Sequence, residues 1–93
     1  MEILINKETD NLMKDTDAFL MLLKIAYNTK RDDFFSIPEL DIGEAFITAE
    51  IAGMSQQTFR TTKKKLSKWG FAEFKPTPKG TIARLTTDKF FKS

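Results

Sequence analysis

Polar and cationic side chains recur between residues 55 and 68 at a helical spacing. The set comprises Ser55, Gln56, Gln57, Arg60, Thr61, Lys63, Lys64 and Lys68. Glutamine can pair with adenine through two hydrogen bonds and arginine with guanine, whereas serine and threonine suit bases or phosphates. Lysines toward the end of such a helix can neutralise phosphate charge, and Lys65 completes a run of three. Together these residue types favour recognition of double-stranded DNA.

Catalytic and metal chemistry are not indicated. The 93 residues include no Cys and no His, which removes thiolate chemistry and the commonest general base and metal ligand. The acidic residues that precede the cationic run match no ligand spacing, and we interpret them as a solvated edge: Glu39, Asp41, Glu44 and Glu50. We therefore expect no enzyme activity, no cofactor and no bound metal.

Charge is divided unevenly along the chain, although the net charge is only +2. Residues 1–54 carry five basic and eleven acidic side chains, whereas residues 55–93 carry ten basic and two acidic ones. Such a division is typical of a domain with one face toward a polyanion and the other toward solvent or a basic partner.

A helix from Ser55 to Gly70 is predicted to present the cationic residues. Ser55 is a suitable N-cap and Gly70 a suitable stop. One face is apolar enough to be buried and includes Phe59, Thr62, Leu66 and Trp69. Trp69 and the following Phe71 are interpreted as core residues rather than as platforms for stacking on bases.

A second, shorter helix is predicted just before it. Residues 42–47 favour a brief extended segment or strand, after which Thr48 can cap a helix that runs through Ala52. Gly53 stops that helix, and Ala49 is small enough to permit close packing. Two helices joined by a tight glycine turn form a helix-turn-helix unit, whose second helix offers its N-terminal residues to the major groove.

The pattern changes from helical to alternating after Gly70. Residues 71–75 and 81–85 are predicted strands, and residues 76–80 between them form a projecting loop. Lys75 and Lys79 make this hairpin basic, so it can hold the DNA backbone beside the helix.

The remaining elements are less sharply marked. An apolar stripe predicts a helix that begins at Asp15 or Thr16 and ends near Asn28. Residues 3–5 are either a short strand or a loose arm, and residues 11–14 extend the helix. Residues 34–41, which include Pro38, are a connector with at most a turn of helix. In the tail, Phe90 and Phe91 are expected to dock on the first helix.

The segment Ile47–Arg60, continued by Lys64-Lys65-Leu66-Ser67-Lys68-Trp69-Gly70-Phe71, resembles the winged helix-turn-helix superfamily. Within it, the pair Gly43-Glu44 and the Lys79-Gly80-Thr81 hairpin are most similar to DNA-binding domains of phage and plasmid replication initiators and small phage regulators. The sequence departs from that pattern at Thr62, where an apolar residue is commoner, and it ends soon after the wing.

The resemblance implies a mainly α, α+β winged helix-turn-helix domain over residues 1–93, with a three-helix core and a C-terminal β-hairpin wing. It implies sequence-specific binding of double-stranded DNA by the helix at 55–68 and the wing at 71–85, as a transcriptional regulator or a replication-origin-binding module. The alternative is a protein-interaction module, such as a phage factor that docks on host machinery through its acidic half. We expect a cytoplasmic monomer or weak homodimer without membrane contact.

Overall fold

A computed structural model of the chain describes residues 2–29 and 40–92. Within them the order of elements is β1 (Glu2–Ile3), α1 (Lys7–Met13), α2 (Thr16–Asn28), β2 (Glu44–Ile47), α3 (Ala49–Ala52), α4 (Gln56–Lys68), β3 (Ala72–Thr77), β4 (Gly80–Leu85) and β5 (Phe91–Lys92). Most of the expected connector, including Phe34, Pro38 and the acidic Glu39, lies outside the described residues. None of the described helices is long and apolar enough to cross a membrane.

Each described helix begins at a residue whose side chain caps it. Side-chain oxygens of Asn6, Asp15, Thr48 and Ser55 accept the backbone N–H three residues further on, at 2.8–3.1 Å. These bonds satisfy amide groups that have no partner inside the helix. Asp15 rather than Thr16 is therefore the N-cap of α2, and Thr48 and Ser55 cap α3 and α4 as predicted.

The C-terminal strands form an antiparallel hairpin inside a three-stranded sheet. Its strand order is β2-β4-β3, and the pairing of Thr77 with Gly80 closes the hairpin. The predicted loop at 76–80 is too long, because Pro76 and Thr77 belong to β3 and the turn contains only Pro78 and Lys79. A proline is tolerated at position 76 because β3 is an edge strand, which need not donate every backbone hydrogen bond.

The core is centred on α2. Its Met21, Leu22 and Ile25 are fully buried with residues of β2, α4 and the tail. Phe90 is 1% exposed and meets the ring of Phe71 edge-on, with the ring centroids 4.8 Å apart. The tail is thus docked on the core, with Phe90 buried and Phe91 partly buried, and β5 also pairs with β1.

Two sequence predictions about helix ends are wrong. Residues 11–13 do not extend α2: they belong to a separate helix, α1, because the extended backbone of Asp15 interrupts the two. Trp69 is not a core residue, since 43% of it is exposed. After Trp69, Gly70 adopts a left-handed φ of 76°, and the N–H of Phe71 bonds to the carbonyl of Leu66. This helix end turns Phe71 toward the core and leaves Trp69 outside.

Candidate nucleic-acid interface

The helix-turn-helix unit forms as the sequence predicted. Gly53 ends α3 with a left-handed φ of 73°, and the N–H of Met54 bonds to the carbonyl of Ala49 at 2.9 Å. Left-handed backbone is costly for residues other than glycine, which explains the residue type at this turn. Ala49 and Ala52 are buried, so α3 lies close against the rest of the core. The turn at Gly53 then leads directly into α4, one face of which is exposed.

Helix α4 has one buried and one exposed face. Phe59, Thr62 and Leu66 are buried, at most 5% exposed. Nine of the ten predicted DNA-binding residues are exposed and Lys63 is half-buried. The exposed ones are Ser55, Gln56, Gln57, Arg60, Thr61, Lys64 and Lys68 on or before the helix, with Lys75 and Lys79 on the hairpin.

A groove of about 500 Å³ separates the first half of α4 from the hairpin turn. The helix contributes Gln56, Arg60 and Lys63 to its walls, and the turn contributes Lys79. The other predicted residues do not line it and lie exposed just before α4, elsewhere on α4 or on β3: Ser55, Gln57, Thr61, Lys64, Lys68 and Lys75. The structure therefore brings two cations of the helix, Arg60 and Lys63, together with one cation of the hairpin turn, Lys79.

Lys63 is held in this groove by its own helix. Its Nζ lies 4.6 Å from the centre of the Phe59 ring, a distance at which the ring face attracts a cation. Partial burial lowers the pKa of Lys63 below its ordinary value, and the neighbouring positive charge of Arg60 lowers it further. A group that supplies negative charge at this point would offset the repulsion from Arg60 and favour the charged form of Lys63.

Ser55 is committed to the structure of the helix. Its hydroxyl donates to Oγ1 of Thr58 at 3.0 Å and accepts from the backbone N–H of Thr58 at 3.1 Å. These bonds occupy much of its hydrogen-bonding capacity. In the structure this side chain fixes the start of α4.

Lys65 lies on another side of the helix from Lys64, although the sequence predicted that the whole run Lys63-Lys64-Lys65 contacts phosphates. Its Nζ donates to a carboxylate oxygen of Asp15 at 2.8 Å and so ties α4 to the start of α2. The hydrogen bond from Lys65 is the main cause of a lowered pKa at Asp15. The helical period places Lys65 beside the buried Thr62 and Leu66, and its ammonium group is already paired within the protein.

The Asp15→Asn variant is expected to lose about 0.5 kcal/mol of stability at neutral pH. Asparagine caps a helix as well as aspartate, but it cannot form the ion pair with Lys65. Because the folded-state pKa of Asp15 is lowered, its stabilisation is complete above the unfolded value near 3.8 and disappears as the pH falls through the folded value. Urea unfolding across this range should therefore show the two proteins converging in acid, and a difference that stays constant with pH would contradict this account.

Sequence reasoning missed one acidic residue of the groove. Glu50, interpreted as part of a solvated edge, lines the same groove as Arg60 and Lys79. It comes directly after Ala49 at the start of α3, and its position depends on how α3 packs against the hairpin. Arg84 on β4 faces a different partner, because it lies 3.7 Å from Glu44 across the sheet.

A helix-turn-helix followed by an antiparallel hairpin, packed as an α+β structure, is a winged-helix arrangement. No protein-family model, curated protein or solved structure matches this chain. Among the residues that the structure describes, no group of three or more acidic side chains could hold a metal ion.

Proposed function

We propose that this chain binds double-stranded DNA in a sequence-specific manner through the exposed face of α4 and the β3-β4 hairpin. The observation that supports this most strongly is the groove in which Arg60 and Lys63 of α4 meet Lys79 of the turn. Three cations face one carboxylate there, that of Glu50. A polyanionic strand running along the groove would be attracted to this excess of positive charge.

The groove cations are available to a ligand. Over residues 2–29 and 40–92, neither Arg60, Lys63 nor Lys79 forms an ion pair with another side chain. A phosphate placed between Arg60 and Lys63 would screen their mutual repulsion and favour the charged form of Lys63. Phosphate binding at this point would thus be favoured by the repulsion between Arg60 and Lys63 that it removes.

The first turns of α4 offer the side chains that would read bases. Gln56, Gln57, Arg60 and Thr61 are exposed within two turns, where a helix that enters the major groove meets base edges. Glu50 nearby would repel a phosphate but could accept a hydrogen bond from the amino group of cytosine. Lys64 and Lys68, further along the helix, and Lys75 on the hairpin would contact the backbone.

The role that best fits such a domain is that of a transcriptional regulator or a replication-origin-binding module. This rests on the resemblance of the Gly43-Glu44 pair, the helix end at 64–71 and the hairpin at 79–81 to phage and plasmid initiator domains and small phage regulators. The chain would act in the cytoplasm, as a monomer or weak homodimer, and without a cofactor.

Selection from a pool of random duplexes tests the proposal. We expect a motif to be enriched at moderate salt, and fluorescence anisotropy should then show specific binding that weakens with salt. With five or six phosphate contacts, the affinity should fall roughly a thousandfold between low and near-physiological salt. Failure to enrich any motif, together with no salt-dependent binding to any duplex, would overturn it.

Arg60→Ala and Lys79→Ala are expected to weaken binding in different ways. Loss of Arg60 should cost about 1–3 kcal/mol and relax the preference at one position of the enriched motif. Loss of Lys79 should weaken all sequences alike and reduce the salt slope by about one, because it removes a backbone contact. Anisotropy on the motif and on its single-base variants distinguishes these patterns, and equal loss of specificity in both variants would contradict the assignment of roles.

A further inference from the structure

A second concave surface lies at the other end of α4. It is a shallow, mostly apolar pocket of about 440 Å³, formed where α1 and the start of α2 meet the end of α4. The residues that line it are Glu8, Asn11, Leu12, Asp15, Trp69 and Phe71. Helix α4 has 13 residues and is therefore about 20 Å long, so this pocket is well separated from the groove at its first turns.

Trp69 is the main apolar group of the pocket that remains accessible to solvent. Although 43% exposed, its ring is supported by Phe71, with the ring centroids 5.9 Å apart. Phe71 in turn packs edge-on against the buried Phe90. Packing against the core thus holds the indole in place. A large aromatic group of this kind can contribute strongly to the free energy of binding when a partner covers it.

The charge around the pocket selects the kind of partner. Neither a lysine nor an arginine lines it, while Glu8 and Asp15 do. The carboxylate of Asp15 is paired with Lys65, whereas that of Glu8 forms no ion pair with any described residue. A nucleic-acid backbone would be repelled here. A partner that carries a cation beside an apolar group could instead pair its cation with Glu8 and pack its apolar group against Trp69.

We propose that this pocket binds a short segment of a partner protein in which an apolar side chain stands next to a lysine or arginine. The apolar side chain lies against Trp69, Phe71 and Leu12, and the cation pairs with Glu8. This interaction goes beyond DNA binding and does not depend on it. The two surfaces face opposite charges, so one molecule can hold DNA and a basic protein segment together.

A displayed library of random short peptides, selected on the full chain, tests the proposal. We expect the enriched peptides to combine an apolar residue with an adjacent lysine or arginine. Their affinity for the Glu8→Lys and Trp69→Ala variants should fall by about tenfold or more. Asp10→Lys is the matched control, because Asp10 is an exposed acidic residue in the same first turn of α1 but does not line the pocket.

The proposal would be overturned by no enrichment, by enriched peptides without a cation, or by equal losses with Glu8→Lys and Asp10→Lys. Self-association that requires Trp69 would also overturn it in favour of a second copy of this chain. Glu8 is exposed, so its variant keeps the test valid even if Trp69→Ala is poorly folded. Lys79→Ala should leave peptide binding intact and Glu8→Lys should leave duplex binding intact, so failure of one proposal is distinguishable from failure of the other.

Discussion

Replacing Arg60, Lys64 and Lys79 together by glutamine is expected to weaken binding to every duplex by roughly a hundredfold near physiological salt. Each of the three cations is exposed, two on α4 and one on the hairpin turn. Lys64 and Lys79 are the two assigned to phosphates, and each lost phosphate contact removes the release of about one counterion, so the salt slope should also become shallower by about two. Anisotropy titrations at several salt concentrations measure both quantities.

A matched control separates the interface from net charge. Lys7, Lys14 and Lys89 are equally exposed but belong to α1, to its C-cap and to the tail. Replacing these three by glutamine changes the net charge by the same amount and should reduce affinity only slightly, since distant exposed charges are screened. Comparable losses in the two triple variants would mean that binding follows overall charge rather than this surface.

Phe90→Ala is expected to reduce the free energy of unfolding by about 3–5 kcal/mol, the usual cost of emptying a buried phenylalanine site. Phe90 is 1% exposed and supports Phe71, which anchors the end of α4. A domain of this size has about 5–15 kcal/mol of stability in total, so the loss should be visible as a marked fall in the urea midpoint.

Phe91→Ala is the natural comparison for that experiment. Phe91 follows directly in β5 but is only partly buried, so its truncation should cost clearly less. If the two variants were equally stable, Phe90 would not be the side chain that fixes the tail to the core.

The helix-turn-helix was predictable because its signals are local. Thr48 and Ser55 cap the helices, and Gly53 and Gly70 adopt the left-handed backbone that ends them. Each signal acts within a few residues and is readable without knowledge of the fold. The exposed face of α4 was predictable for the same reason, because the buried residues of this helix recur at helical spacing and leave the opposite face to solvent.

Features that tertiary contacts decide could not be predicted from the sequence. The partner of Lys65 is Asp15, fifty residues earlier in the chain, which no local pattern identifies. A signal was nevertheless present, since Lys65 is three residues after Thr62 and immediately before Leu66, near the buried face. Trp69 was predicted to be buried because a tryptophan at the end of this helix is typical of a core residue. The turn at Gly70 instead directs Phe71 into the core and leaves Trp69 exposed.

The central claim, that DNA lies along the exposed face of α4 and the hairpin turn, is tested most directly by amide chemical shifts. An isotope-labelled sample titrated with the selected duplex should show its largest shift changes at residues 55–61 and around Lys79. Changes near Glu8, Asn11 and Trp69 should be small. Shift changes concentrated on α1 and the end of α4, with residues 55–61 unaffected, would contradict the claim.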